Sequence, residues 1–238
     1  MHATDTLKVK KVRFFVEPKV VFITPNPSHV SGNNIYDIEF DIPGGPGGYI
    51  KQSYNWQNKS SVNFGVSGGL SIRLSKYFNY EISLAYYHYN LFTKGTVINQ
   101  DTVGNYYSNQ TFTNKSSINM LGIGNGLAFK YKKFRLTNSV LFTTMVASKS
   151  TSIDHDNVSG TSTSTTSFSD YKYLSTSFYL MSEHKIGYSL CKNRLETYVG
   201  VNVLYGSPFI YMFEHPGFVS DYTPKNIVMP FASVKINF

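Results

Sequence analysis

The residues of this chain that could do chemistry are its six histidines and the hydroxyls and acids around them. His88 is the best catalytic candidate, because Asp101 and Ser108 follow it and a hydrolase needs a nucleophile, a histidine base and an orienting acid. No motif joins these three residues, and no pair of histidines has the close spacing typical of a metal site. We therefore expect no enzymatic activity, no metal site and no cofactor.

A second set of chemically capable residues consists of acids and bases on the polar faces of predicted strands. If these strands close into a narrow barrel, as argued below, their polar faces line its lumen. Burying charge there lowers the stability unless opposite charges meet. We therefore predict a charge network that fills the lumen, in preference to an ion path or a proton relay. The network comprises Glu17, Lys19, Arg73, Glu81, Arg135, Glu183, Lys185, Arg194, Glu196 and Lys235. The predicted pairs join neighbouring strands: Arg73 with Glu81, Glu183 with Arg194 or Lys185 with Glu196, and Glu17 with Lys235.

The elements that must position these side chains are β-strands. The C-terminal segment 227–238 has apolar residues at every second position, among them Val234 and Ile236, and it ends in Phe238. Alternation with a period of two is typical of a strand with one apolar face. Seven earlier segments carry the same pattern, namely 14–22, 61–73, 80–91, about 117–129, 134–147, 172–186 and 194–205.

The lengths of the segments and of their connections favour a membrane barrel over a soluble sandwich or a lipocalin-like barrel. Strands of globular proteins usually have about 5–6 residues, whereas a tilted strand needs ~9–11 residues to cross a bilayer. Most of the predicted segments reach the longer range. Short connections alternate with long ones, as in outer-membrane barrels. The short ones are 74–79, 130–133 and 187–193, and the long ones are 23–60, 92–116, 148–171 and 206–226.

We therefore predict an all-β fold, an eight-stranded antiparallel transmembrane β-barrel with short periplasmic turns and long extracellular loops. Residues 1–13 form a periplasmic N-terminal tail, and residues 14–238 form the barrel domain. No stretch approaches the ~20 apolar residues of a membrane helix. The polar start of the chain does not resemble a signal peptide, so we expect a mature chain whose export signal has been removed and which lies in a bacterial outer membrane.

One hairpin carries a family resemblance. The stretch from Gly65 to Leu84, GVSGGLSIRLSKYFNYEISL, has the pattern of strand, tight turn and strand. It resembles the hairpins of the small outer-membrane β-barrel (porin family) proteins of Bacteroidota, a group that includes the secretion-associated PorT-like barrels. The resemblance implies an outer-membrane location and a barrel fold, and it says little about activity. The glycine-rich run 122–126 departs from it, because that predicted fourth strand lacks the expected bulk.

The predicted partners are lipids and proteins of the envelope. The chain has a net charge of +8, and its basic residues cluster in the tail and on the predicted periplasmic turns, where they suit anionic head groups or an acidic partner. We expect contact with outer-membrane lipid and lipopolysaccharide, and with another envelope protein. Nucleic acid is not expected, because the basic residues are not interleaved with exposed aromatics on one face. Loop aromatics that could bind a partner are Tyr49, Trp56, Phe209, Tyr211 and Phe213.

The leading function predicted from the sequence is a non-enzymatic barrel with a plugged lumen. It would act as a structural or accessory subunit that binds another envelope or secretion component through its loops or its basic periplasmic rim. The serine- and threonine-rich third loop, 148–169, is expected to be mobile or ordered by a partner. The alternatives are a narrow channel for small solutes and a lipid A-modifying barrel enzyme.

Overall fold

The computed structural model describes residues 12–23, 38–41, 49–59, 61–100, 106–156, 160–167, 178–191, 194–205 and 226–238. Within these ranges no helix is long and apolar enough to cross a membrane. The regular structure consists of the strands β1 (Val12–Ile23), β2 (Ile38–Asp41), β3 (Tyr49–Lys59), β4 (Ser61–Arg73), β5 (Phe78–Gln100), β6 (Tyr106–Tyr131), β7 (Phe134–Asp156), β8 (Gly160–Ser167), β9 (Phe178–Leu190), β10 (Leu195–Tyr205) and β11 (Asn226–Asn237).

Eight of the described strands close into an antiparallel barrel. Their order around the ring is β1, β4, β5, β6, β7, β9, β10 and β11, and β11 pairs back onto β1. At this closing seam Phe15 lies opposite Asn237, and Val21 lies opposite Phe231. The last residue completes the seam, because the N–H of Phe238 donates to the C=O of Phe14 at 2.9 Å. The predicted eight-stranded antiparallel barrel is therefore confirmed.

The sequence alternation becomes an alternation between the lumen and the exterior. In β1 the side chains of Glu17, Lys19 and Val21 are buried, whereas those of Val16 and Val20 are exposed. A strand exposes successive side chains on opposite faces, so one run of residues supplies both surfaces of the wall. Closure of the ring then turns the polar face into the lining of a lumen.

The short connections lie at the same end of the barrel as the two described ends of the chain, Val12 and Phe238. Residues 74–77 join β4 to β5, and the Ser75 hydroxyl accepts hydrogen bonds there from the N–H groups of Tyr77 and Phe78, at 3.2 and 3.1 Å. Lys132 and Lys133 alone join β6 to β7, with Lys132 at a φ of 53°. Two-residue hairpin loops require such left-handed backbone, because their twist then matches that of the strands.

Some of the predicted strand bounds agree with the structure and others are shifted. The bounds of β4 agree with the predicted segment 61–73, and β1 begins two residues earlier than the predicted 14–22. The predicted 172–186 is shifted, since β9 runs on to Leu190, and residues 172–177 lie outside the described residues. Of the predicted 1–13 tail, residues 1–11 also lie outside the described residues.

The glycine run of the fourth barrel strand is a space-saving feature and not a break. Gly122 and Gly124 face the lumen within the continuous β6. A Cβ on Gly122 would lie 2.8 Å from Cγ2 of Thr143, and one on Gly124 would lie 2.8 Å from Cγ of Leu141. Such distances are shorter than packed side chains tolerate. The missing bulk on β6 therefore leaves room for side chains of β7 inside the barrel.

Three of the predicted long loops, 23–60, 92–116 and 148–171, are wrong over part or most of their length, because they contain strands. The strands β5, β6 and β7 have 23, 26 and 23 residues, so at ~3.3 Å per residue they far exceed the thickness of a bilayer. The hairpin β2–β3 pairs with the far end of β5, and β8 pairs with the far end of β7. The result is a six-stranded extension in the order β2, β3, β5, β6, β7, β8, which we call the protruding sheet.

The serine- and threonine-rich tract belongs to this protruding sheet. The sequence predicts that 148–169 is a loop, either mobile or ordered by a partner, but the described residues of that range are paired, with Lys149 opposite Ser167 and Asp156 opposite Gly160. Threonine favours strands, and backbone pairing needs no apolar face. The sequence pattern did not predict these strands, because hydrophobic alternation is absent from a strand when neither of its faces packs on a core.

Candidate functional site

The exterior of the barrel carries a band of exposed apolar side chains. We call it the belt. Exposure of many large apolar residues on one surface marks contact with something apolar. All eight barrel strands contribute, among them Phe14, Val20, Phe22, Val62, Phe64, Ile82, Leu84, Leu121, Ile123, Leu127, Leu136, Val140, Phe142, Val146, Phe178, Leu180, Ile186, Val199, Val228 and Ile236.

The lumen near the termini holds a layer of buried ion pairs. Lys185 Nζ lies 2.6 Å from a carboxylate oxygen of Glu17 and 3.0 Å from one of Glu183. Lys19 donates to Glu183, and Ser233 donates to Glu17 at 2.7 Å. All four charged side chains are at least nine-tenths buried. Burial of these charges is tolerable because each one has a hydrogen-bonded partner of opposite sign.

Two smaller clusters complete this charged layer. Lys235 donates to Glu81, which also accepts from the hydroxyl of Ser71. Arg135 Nε donates to Glu196 at 2.8 Å, and the hydroxyl of Tyr198 donates to the other oxygen of that carboxylate at 2.8 Å. Ring faces support the cations as well, with Lys235 Nζ 3.9 Å from the ring centre of Phe15.

The partners inside the lumen differ from the predicted ones. Of the ten predicted network residues, Glu17, Lys19, Glu81, Arg135, Glu183, Lys185, Glu196 and Lys235 are buried in the lumen. None of the predicted pairs forms, because the lumen is narrow enough for side chains to reach across it. Glu17 and Lys19 of β1 meet Lys185 and Glu183 of β9, which lies three strands away around the ring.

Arg73 and Arg194 do not belong to this network. The side chains of both are exposed at the end of the barrel that carries the termini, and Arg73 donates to the carbonyl of Ser75 at 3.2 Å. They lie beside exposed turn lysines such as Lys76 and Lys133, so this end of the wall is basic. A residue on the polar face at the last position of a strand reaches water and needs no partner.

The other half of the lumen is filled by an apolar layer that the sequence analysis missed. It lies towards the protruding sheet, and Tyr87 and Tyr89 stack within it at 5.7 Å between ring centres and 4° between planes. Methionine adapts to irregular interior gaps, and four methionines take part. The layer comprises Val21, Ile23, Ala85, Tyr87, Tyr89, Ile118, Met120, Leu141, Met145, Met181, Leu204, Met229 and Phe231. These residues keep the inward parity of the charged ones, which was the available signal.

The histidine considered for catalysis lies on the outside of the barrel. His88 stacks on Phe64 with 5.1 Å between ring centres, and its Nδ1 lies 2.7 Å from Oδ1 of Asn119. Asn119 is the residue opposite His88, whereas Ser108 pairs with Asn99, eleven residues further along the hairpin. At ~3.3 Å per residue this separation is roughly 36 Å, which prevents a shared catalytic site. Asp101 lies outside the described residues.

No metal centre is formed in the described part of the chain, where no group of three or more histidine, cysteine, aspartate or glutamate side chains comes together.

A polar row crosses the belt on β7, β9 and β10. The imidazole of the exposed His184 contacts Oδ1 of Asn138 at 2.8 Å and Oγ of Ser182 at 3.2 Å, and Ser182 is 3.3 Å from the hydroxyl of Tyr205.

The predicted partner-binding aromatics are only partly within the structure. Tyr49 and Trp56 belong to β3 of the protruding sheet and not to a loop, with Tyr49 opposite Asp41 and Trp56 opposite Gly95. Phe209, Tyr211 and Phe213 lie outside the described residues. Whether these residues bind a partner stays a prediction.

The exterior of this wall is apolar on all eight barrel strands, whereas the exterior of a soluble barrel is polar. The chain folds as a barrel of the outer-membrane type. No protein-family model and no curated protein matches it. Among solved structures it is similar to the crystal structure of Neisserial surface protein A (NspA), with 9% identity over 94% of this chain and 97% of that chain, at a TM-score of 0.32. A likeness of this size carries no functional information.

Proposed function

We propose that this protein is a non-enzymatic outer-membrane barrel with a closed lumen, and that it presents its protruding sheet to another component of the envelope. The belt supports the membrane location, because it would otherwise leave apolar side chains in water all around the wall. The termini and short turns would lie in the periplasm, and the protruding sheet would lie outside the cell.

The closed lumen is supported by two layers of side chains that fill it. The ion pairs around Glu17 and Lys185 occupy one half, and the apolar layer around Tyr87, Met120 and Met229 occupies the other. An eight-stranded barrel is only wide enough for its own side chains. Ions would have to cross both a neutralised charge layer and a dry layer, so we expect no conducting path.

Recording from planar bilayers tests the closed lumen. The purified, refolded protein should give no stable single-channel steps, while a sixteen-stranded porin prepared in the same way gives large ones because it keeps an aqueous channel. Stable, large steps from this protein would contradict the proposal and would favour the channel alternative.

The protruding sheet supports an accessory role. It extends β5, β6 and β7 far beyond the length that a bilayer requires, and backbone pairing with β2–β3 and β8 holds it in place. A lipid-embedded wall gains no stability from strands that project into water, so we infer that the projection has a separate purpose. Binding another envelope or secretion protein is the purpose we propose.

Purification of the tagged protein from native outer membranes in mild detergent tests this role. We expect a stoichiometric partner with the full chain and its loss when residues 94–113 are replaced by an Asn-Gly turn. That change keeps the pairing of Thr93 with Asn114 and leaves the barrel intact. Neutralising the exposed turn lysines Lys76 and Lys133 is the matched control at the other end. A barrel that always purifies alone would contradict the accessory role.

A further inference from the structure

A cavity of about 380 Å³ opens on the outer face of the wall, where the belt meets the protruding sheet. It is lined by Ser61, Asn90, Phe92, Lys115, Ser117, Lys149 and Thr151. The register places these residues together, since Lys115 lies opposite both Phe92 and Thr151, and Ser117 lies opposite both Asn90 and Lys149. Residues directly opposite on paired strands share one face.

The lining is basic and rich in hydrogen-bond donors. Lys115 and Lys149 have exposed side chains on adjacent strands, and no acidic residue is among those lining residues that the structure describes. Like charges so close on one face repel each other unless an anion lies between them. Hydroxyl and amide groups of Ser117, Thr151 and Asn90 supply further donors, so the lining suits a phosphate group.

The cavity is continuous with the belt. On β5 the outward-facing His88, which stacks on the belt residue Phe64, precedes the lining residue Asn90 by two positions, so both lie on the same face of the strand. On β7 the register shifts at the belt residue Val146, since Met145 lies opposite Met120 and Ala147 lies opposite Asn119, so Val146 lies on the same face as Lys149 three positions further on. A lipid with its acyl chains on this part of the belt would therefore bring its head group to the two lysines.

We propose that the cavity binds a phosphorylated head group of an outer-leaflet glycolipid, the phosphates of lipid A. The proposal rests on the proposed function, because it requires that the end of the wall with the protruding sheet face outwards. Lys115 and Lys149 would hold the phosphate, and the ring of Phe92, 5.9 Å from Nζ of Lys115, would pack under the sugar. The acyl chains would lie on the belt.

Native mass spectrometry of the detergent-folded full chain tests the site. Bisphosphorylated lipid A should bind, and its dephosphorylated form should bind about 30-fold more weakly, as expected for the loss of two phosphate–lysine contacts. The variant K115Q/K149Q should lose the same factor. The control variant K76Q/K133Q removes two lysines at the opposite end and should bind like the parent protein.

Four results would overturn the site: equal binding by K115Q/K149Q and the parent, equal loss in both double variants, competition by millimolar inorganic phosphate alone, or equally tight lysine-dependent binding of phosphatidylglycerol. Heat-modifiable migration in gels identifies folded barrel in every sample. Because binding is measured in detergent, loss of the site and failure of the proposed function are separate outcomes. The latter is seen as channel conductance or as failure to insert into vesicles.

Discussion

At the scale of single residues, the lumen shows how a narrow barrel can contain charge. Glu17 accepts from Lys185 and Ser233, and Glu183 is shared by Lys19 and Lys185. Such pairs are not a source of large net stability, because desolvation offsets most of their attraction. Removing one partner of such a pair lowers the stability strongly, because the other charge then stays buried without a partner.

This asymmetry gives a prediction for Lys185. The variant K185M should destabilise the barrel by about 3–5 kcal/mol, because it leaves a carboxylate buried without its cation. The double variant E17Q/K185M should recover part of that loss, since no carboxylate remains at that position. Urea unfolding of the protein in lipid vesicles measures K185M, E17Q and the double variant. If the double variant loses as much stability as the two single variants together, the pair is not coupled and this account of the lumen is wrong.

At the scale of elements, β4 approaches β5 so closely that the neighbouring Gly68 and Gly69 should respond differently to the addition of a side chain. A Cβ on Gly69 would collide with the carbonyl of Ile82 and lie 2.8 Å from Cα of Ser83, so only backbone movement could accommodate it. A Cβ on the neighbouring Gly68 would meet its nearest atom, the carbonyl oxygen of Phe15, at 3.6 Å. That distance is ordinary contact.

We therefore expect G69A to destabilise the barrel by about 1–3 kcal/mol, as overpacking does, and G68A to cost well under 1 kcal/mol. The urea midpoint and the heat-modifiable gel migration of the two variants provide the comparison. Equal behaviour of the two alanine variants would contradict the predicted close contact between β4 and β5.

At the scale of the whole molecule, the sequence predicts the wall and not its contents. Alternation assigns a face to each residue, so the eight strands, the belt and the inward position of Glu17 or Lys235 follow from it. Alternation does not say how far along the barrel axis a residue lies or which residue faces it across the lumen. The actual partner of Glu17, the distant Lys185, could therefore not be predicted. The protruding sheet was missed because its strands, such as 160–167, are polar on both faces.

The pairing of Glu81 with Lys235 has a consequence for the order in which the barrel can be assembled. The two residues are 154 positions apart, on the first half of the ring and on the last strand. A hairpin β4–β5 that entered the hydrocarbon core early would carry the carboxylate of Glu81 without its ammonium partner, at a cost of several kcal/mol. Insertion in chain order is therefore disfavoured until β11 is present. β11 supplies the cation that β5, the third barrel strand, needs, so for a barrel that inserts as proposed above we expect passage into the membrane to be a concerted event of the closed ring.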